Sequence, residues 1–212
     1  MHSNPAFRQT PAAEAIAIVR SRSFGTLCLN GAEGPLLSHV PFELAADGSH
    51  ALLHLARGNP IARAALPMAA VLAVSGPDAY VSPDWYGATD QVPTLNYVAV
   101  HLRGVLQPMP EADLAPMLDR LSALFEARLA PKQPWTGAKM TPGVMERMMR
   151  MILPFRLQIS RIDSTVKLNQ NKTAGQRAGA AAGIIGCPVG IEAARLAEMM
   201  CGVDVYSLPS QP

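Results

Sequence analysis

The sequence predicts an α+β protein, mainly β, built on a six-stranded antiparallel barrel with flanking helices. Six short segments rich in apolar and β-branched residues succeed one another between residues 24 and 162, most of them separated by turns. Only a short helix is inserted after the third segment, whereas a parallel doubly wound sheet needs a helical crossover between its strands. Adjacent strands of this kind favour a closed antiparallel barrel.

The strands are predicted from alternation and from turn residues. The first two form a hairpin that turns through Asn30-Gly31, and another turn follows at Asp47-Gly48. Along the fifth strand, Tyr97, His101 and Arg103 share one face and apolar residues take the other. The predicted strands cover residues 24–29, 36–44, 50–56, 70–75, 96–106 and 155–162.

Three helix starts share a capping residue followed by proline: Thr10-Pro11, Asn59-Pro60 and Thr141-Pro142. In each, the side-chain oxygen is expected to accept a bond from a free amide, and proline occupies a position that needs no donor. A longer amphipathic helix is predicted over residues 113–129. Further helices are expected near 173–182 and 191–200, as a C-terminal helical appendage at about 170–205 on a single domain of residues 1–212.

The composition bounds the kind of protein. The chain has 212 residues, of which 49% are hydrophobic and 16% charged, so it is expected to fold. A net charge of +2 does not indicate a nucleic-acid partner. No signal peptide or membrane-length apolar run is present, which predicts a cytoplasmic protein. Cys28, Cys187 and Cys201 form no Cys-x-x-Cys pair and are expected to be reduced, and no metal site is predicted.

The segment from His54 to Pro60 is a candidate phosphate site. It ends a strand and opens a helix, with Arg57 just before the free amides of the helix. A helix N-terminus and an arginine fork together suit a phosphomonoester. The alternative is that Asn59 only caps its helix and Arg57 is solvated.

Two other segments combine polar and aromatic groups. A predicted loop over residues 76–93 contains Tyr80, Trp85 and Tyr86 and is long enough to wall a flat aromatic ligand, although Trp85 and Tyr80 would serve equally as buried anchors. The run Lys167 to Lys172 places two cations and three amides after the sixth strand. Amides suit the edge of a flavin or a pyrimidine, and a solvated turn is the alternative reading.

In this order, three motifs resemble the PaiB-type family of FMN-binding proteins. The first joins Ser38-His39-Val40-Pro41 to His54-Leu55-Ala56-Arg57-Gly58-Asn59-Pro60. The second joins Ser82-Pro83-Asp84-Trp85-Tyr86 to the stretch from Val92 to His101, and the third is Lys167-Leu168-Asn169-Gln170-Asn171-Lys172. The middle and last motifs are the most specific, and the resemblance spans most of the chain.

The resemblance implies a six-stranded FMN-binding split barrel that works as a homodimer, with FMN at the subunit interface. It implies that Ser38, His39 and Val40 border the flavin and that Arg57 and Asn59 face the phosphate. The other cofactor-binding residues that it implies are His54, Thr94, Asn96, Lys167, Gln170 and Lys172.

The resemblance also has two departures and leaves the activity open. Leu95 stands where the family commonly has tryptophan, and Asn169 stands where it commonly has serine. The family name implies a negative transcriptional regulator, yet the second C-terminal helix offers one arginine against two glutamates, so direct DNA binding is not expected. The alternatives are an FMN-dependent oxidoreductase acting on a small substrate, similar to pyridoxamine-phosphate oxidases or flavin reductases, and a flavin-storing or ligand-sensing module without turnover.

Overall fold

The computed structural model describes residues 2–202 and contains a closed, all-antiparallel barrel. The strand order around the barrel is β1-β2-β3-β6-β5-β4. This confirms the predicted six-stranded antiparallel barrel. The strands are β1 (Phe24–Gly31), β2 (Gly34–Leu44), β3 (His50–Ala56), β4 (Met68–Val81), β5 (Thr94–Pro108) and β6 (Ile152–Lys167).

Every strand except β3 is longer than predicted, and β6 continues to Lys167, five residues past its predicted end. The first hairpin turns at residues 32–33 rather than at Asn30-Gly31, because Gly34 supplies the positive φ of 127° at which the chain re-enters the sheet. β4 runs on to Val81, so the predicted loop over residues 76–93 is shortened to residues 82–93. A register shift between Ser75 and Asp78 removes Gly76 and Pro77 from the ladder, which lets a strand continue past a proline.

The helices confirm the amphipathic prediction over residues 113–129 but only one of the three predicted caps. Ile61 N donates to Asn59 Oδ1 at 2.9 Å, ahead of a single 3-10 turn. No side-chain cap precedes α1 or α3, and Gly143 at φ 80° delays the start of α3 past Thr141-Pro142. The helices are α1 (Ala12–Arg22), α2 (Leu114–Glu126), α3 (Val144–Met149), α4 (Ala174–Gly186) and α5 (Ala193–Met200).

The barrel interior is filled by the inward-facing side chains of every strand. Leu27, Leu72 and Leu102 are fully buried and face one another across adjacent strands. α1 adds Ala15 and Val19 to the same core. On the outside of β3, α2 buries Leu114 and Met117 against Leu52, so this side of the barrel is covered.

The two C-terminal helices pack against the same core. Between them, Ile191 and Val189 accept backbone bonds from Asp78 N and Tyr80 N, at 2.9 and 2.8 Å, along the edge of β4. Gly190 is required here, because at φ 142° it lies directly against the Asp78 carbonyl. Residues 203–205 of the predicted appendage lie outside the described residues. Among residues 2–202, no helix is both long and apolar enough to cross a lipid bilayer.

Gly179 and Gly183 of α4 form the surface on which Trp85 packs, which we call the seat of Trp85. A Cβ on Gly183 would overlap the indole ring, and one on Gly179 would overlap the Trp85 carbonyl. The Gly-x-x-x-Gly pattern therefore serves close packing, and Trp85 is an anchor that fixes the loop between β4 and β5 on the helix.

Substituting Gly183 by alanine is expected to destabilise the protein by about 1–3 kcal/mol, because the added methyl group forces the indole out of its seat. Urea denaturation measures this change. Gly175→Ala in the same helix is the matched control, since its Cβ would meet nothing within 4 Å among the described residues, and alanine there is expected to be neutral or stabilising. Equal stability of the two variants would contradict the close packing of the Trp85 indole on Gly183.

Candidate functional site

One outward surface of the barrel combines small, apolar and polar side chains. We call it the open face. A row of cross-strand partners, His39, Thr26, Ala73, His101 and Asp163, crosses it from β2 to β6. The small residues of the row leave a flat strip at its centre. Around the row, the open face also includes Phe24, Leu37, Ala99, Arg103 and Arg161.

Charges on the open face are concentrated at β5 and β6. Arg103 Nε and Arg161 Nη2 donate to Asp163 Oδ2 at 2.7 and 2.9 Å. Partial burial opposes ionisation of Asp163, but the bonds from the two arginines outweigh it and hold the pKa of this carboxyl below its usual range. Two arginines share one aspartate, so this end of the open face carries surplus positive charge.

His101 lies beside this cluster with an unsatisfied ring nitrogen. Burial first, and then nearby positive charge including that of Arg103, lower the pKa of His101 against the opposing effect of Asp163, and so favour the neutral imidazole. Its Nδ1 is buried and has no hydrogen-bond partner among residues 2–202. The ring itself is half-buried, so a molecule bound on the open face would meet the exposed part of the imidazole rather than this nitrogen.

Ser38, Asn59 and Arg57 meet at the corner between β2 and β3. Asn59 Nδ2 donates to Ser38 Oγ at 3.0 Å while its Oδ1 caps the following turn, so this amide joins the two predicted segments. Arg57 is held by a bond from its Nε to the Arg150 carbonyl at 2.7 Å and by an ion pair with Glu111 at 2.6 Å. Its side chain is 42% exposed.

A second arginine completes this corner. Arg63 Nε donates to the Arg57 carbonyl at 3.3 Å. Beyond its chain neighbours, a Cβ on Gly58 would meet Arg63 Nη2 at 3.9 Å and nothing else within 4 Å among the described residues. We call residues 57–63 the Arg57 turn. It offers two guanidinium groups beside open space, a donor set that fits a phosphate.

The third motif meets the loop that follows β4. Lys167 donates to Thr94 Oγ1, and Lys172 donates to Gln91 Oε1 and lies 5.2 Å from the centre of the Tyr86 ring. Burial lowers the pKa of Lys167. Thr94 and Lys167, predicted separately, are therefore brought together.

Four other predicted site residues are buried, half-buried or bonded within the chain, and the buried Asn96 Oδ1 and His54 Nδ1 have no hydrogen-bond partner among residues 2–202. Val40 is buried and faces the core, and Asn96 is fully buried under α5, where its Nδ2 donates to Met200 Sδ at 3.4 Å. Gln170 turns back on its own strand and bonds to Leu168 N and the Val166 carbonyl. His54 lies on β3 opposite Pro154, and burial lowers its pKa.

Acidification is expected to destabilise the protein through His54 and His101. The folded state lowers both pKa values, so it favours the neutral rings; this contribution is complete above pH 6.5 and is lost as the pH falls below 6.5. Each ring contributes a slope of at most about 1.4 kcal/mol per pH unit. Urea denaturation between pH 5 and 7.5 should show a smaller slope for His54→Gln than for wild type. An unchanged slope would contradict the effect of burial on the pKa of His54. His39→Gln, which removes an exposed ring, is the control.

The sequence prediction missed three residues that shape the site. Arg63 lies six positions after Arg57, a spacing that could have indicated a second guanidinium at the same turn. Asp163 partners the outward face predicted for β5, and its position in the last strand could be found only with the strand order. Glu111 carries no local signal, because its partner Arg57 is 54 residues away.

The six-stranded antiparallel barrel with its open face and the Arg57 turn agrees with the split-barrel flavin-binding class that the three motifs resemble. The family model described as "Putative FMN-binding domain" matches residues 1–161. The chain therefore belongs to this FMN-binding family, and FMN is its cofactor. The open face and the Arg57 turn both lie within the matched residues, apart from Asp163.

A curated relative narrows the family. The chain is 31% identical over 169 residues to "Protease synthase and sporulation protein PAI 2" of Bacillus subtilis, which covers 78% of this chain and 80% of that protein. The chain is thus a homologue of the Bacillus PaiB protein, and the resemblance stated from the three motifs is confirmed.

Solved structures show the same fold at low sequence identity. The FAD and heme binding protein from Mycobacterium smegmatis aligns with a TM-score of 0.56 at 17% identity, over 87% of this chain and 82% of that one. The flavocytochrome Anf3 from Azotobacter vinelandii aligns with a TM-score of 0.58 at 14% identity, over 79% of this chain and 72% of that one. These similarities bear on the fold alone.

Proposed function

We propose that two copies of this chain pair through their open faces and bind FMN in the groove between them. The observation that carries this is the distance, within one chain, between the predicted contact Thr94 and the row of cross-strand partners on the open face that includes the predicted contact His39. Thr94 lies seven residues along β5 from His101 of that row, a separation of about 23 Å along an extended strand. A second copy related by a two-fold axis would bring Thr94 and Lys167 of one subunit towards the corner of the other.

The open face exposes apolar side chains, as a surface that pairs with a second copy would. Phe24 and Leu37 are 52% and 63% exposed, and they flank the small residues Thr26 and Ala73. Exposed apolar side chains on a flat sheet face, rimmed by polar groups, are typical of a protein interface. Pairing would bury these side chains and remove solvent from the charged cluster at Asp163.

Each element of the site has a distinct role in this proposal. Arg57 and Arg63 hold the phosphate, while Ser38 and His39 lie beside the ring and His101 presents the exposed part of its imidazole to the flavin. When bound, FMN supplies hydride or single-electron transfer. The chain's residues bind and orient the cofactor and exclude water from it.

The biological role that we propose is regulatory and does not involve direct reading of DNA. The name of the Bacillus relative connects that protein with protease synthesis and sporulation. In this chain, Arg195 of α5 pairs with Glu198 at 2.9 Å, and the nearby Arg22 pairs with Glu192, so the cations near α5 are already neutralised. Regulation would then act through a bound small molecule or a protein partner.

An FMN-dependent oxidoreductase is the second candidate, and His101 is the observation that favours it. A half-buried imidazole with a lowered pKa, at the edge of the proposed groove, suits the transfer or stabilisation of a proton. The visible spectrum of the FMN-loaded protein, followed anaerobically with NADPH or NADH, separates the two candidates. Bleaching faster than that of free FMN favours the enzyme. A flavin spectrum without accelerated bleaching favours the regulator, and failure to bind FMN would contradict both.

A further inference from the structure

Glu111 occupies part of the arginine fork on which the phosphate site depends. Its Oε2 accepts from Arg57 Nη2 at 2.6 Å, from the one-turn 3-10 helix that precedes α2. A carboxylate and a phosphate are alternative partners of the same guanidinium, because both present paired oxygens to its planar donors. A phosphate that approaches Arg57 must therefore compete with the carboxylate or accept its negative charge at close range.

Arg57 does not depend on Glu111 for its position. Its backbone N–H donates to the Met151 carbonyl at 2.9 Å, and its Nε donates to the Arg150 carbonyl at 2.7 Å. The two bonds, to the two residues just before β6, hold both the backbone and the side chain of Arg57. The guanidinium has five N–H donors, and removal of the carboxylate would return one of them to the site without releasing the side chain.

The ion pair is also weak enough to be exchanged. The side chain of Glu111 is 63% exposed and that of Arg57 is 42% exposed, so water screens the attraction. Exposed pairs of this kind commonly shift an equilibrium by no more than a few-fold. Phosphate in its dianionic form brings more charge than the carboxylate and can displace it.

We propose that Glu111 is an internal competitor for the phosphate, which holds Arg57 neutralised without cofactor and lowers the affinity of the site for phosphorylated flavins. This inference rests on the proposed phosphate site at the Arg57 turn. The direction of the change in FMN affinity on removal of Glu111 distinguishes a competitor from a residue that positions Arg57. Loss of a competitor strengthens FMN binding, whereas loss of a positioning residue weakens it.

The test compares the affinities of Glu111→Gln and wild type for FMN and for riboflavin, which lacks the phosphate. Flavin fluorescence quenching gives both dissociation constants. Glu111→Gln is expected to bind FMN about two- to fivefold more tightly, with riboflavin affinity unchanged. Glu43→Gln is the matched control, because Glu43 forms a similar exposed pair with Arg120 at 2.9 Å and lies outside the Arg57 turn.

A double variant tests whether the gain in FMN affinity acts through the Arg57 guanidinium. In an Arg57→Ala background, Glu111→Gln should no longer change FMN affinity, because the two groups act through one contact. Weaker or unchanged FMN binding by the single variant Glu111→Gln would overturn the competitor role, and so would an equal gain for riboflavin. Wild-type protein that shows no preference for FMN over riboflavin would instead refute the phosphate site, and this inference with it.

Discussion

Arg57→Ala is expected to weaken FMN binding by about 10- to 100-fold and to leave riboflavin binding unchanged. Hydrogen bonds to a charged group contribute about 1.5–3 kcal/mol, and each 1.4 kcal/mol is tenfold in affinity. The loss is confined to FMN because, in the proposed site, the phosphate is the one part of the cofactor that the guanidinium contacts. Fluorescence titration with both flavins measures the difference.

The control for this prediction is Arg120→Ala, which removes another exposed, glutamate-paired arginine. It should leave both affinities unchanged. An equal loss for FMN and riboflavin in Arg57→Ala would mean that the arginine supports the corner structurally. Unchanged FMN binding would place the phosphate elsewhere, and the surplus positive charge near Asp163 would then be the next site to test.

Ala73→Asp is expected to separate the proposed dimer and to abolish most FMN binding. Ala73 lies at the centre of the open face between Thr26 and His101, so pairing would bury the new carboxylate away from water. An uncompensated buried charge costs several kcal/mol, which corresponds to a weakening of at least about 100-fold. Sedimentation velocity gives the oligomeric state, and the flavin titration gives the binding loss.

Two checks make the Ala73→Asp result decisive. Ala115→Asp introduces the same charge at an exposed position of α2, outside the open face, and should remain dimeric. A thermal melt of Ala73→Asp should stay cooperative, because the outward side chain does not enter the barrel core. A variant that remains a dimer with normal FMN affinity would contradict pairing through this face.

The barrel could be predicted because its signals are local. Alternation along β5 put His101 on one face and Val98, Val100 and Leu102 on the other, and the structure buries the second set in the core, since the side-chain period of a strand is fixed at two. The same alternation puts Asn96 on the inner face, where the structure has it. The resemblance to the family predicts in addition that Asn96 lies near the cofactor groove, and this stays a prediction.

The residues that could not be predicted depend on tertiary contacts. In the sequence, Gly76-Pro77 indicates the end of a strand. In the structure, β4 continues past these residues through a bulge against β5. Glu111 and Arg57 meet because α2 begins beside the start of β6, which no short-range pattern records. Trp85 was equally suited to ligand contact and to anchoring until its contact with Gly183 identified it as an anchor.

Sedimentation of the FMN-loaded protein, monitored at the flavin absorbance, tests the paired barrel most directly. Flavin absorbance should sediment as a single species with twice the mass of one chain and one FMN per subunit. A flavin-bearing species with the mass of a single chain would show that one barrel suffices, and would contradict an inter-subunit groove.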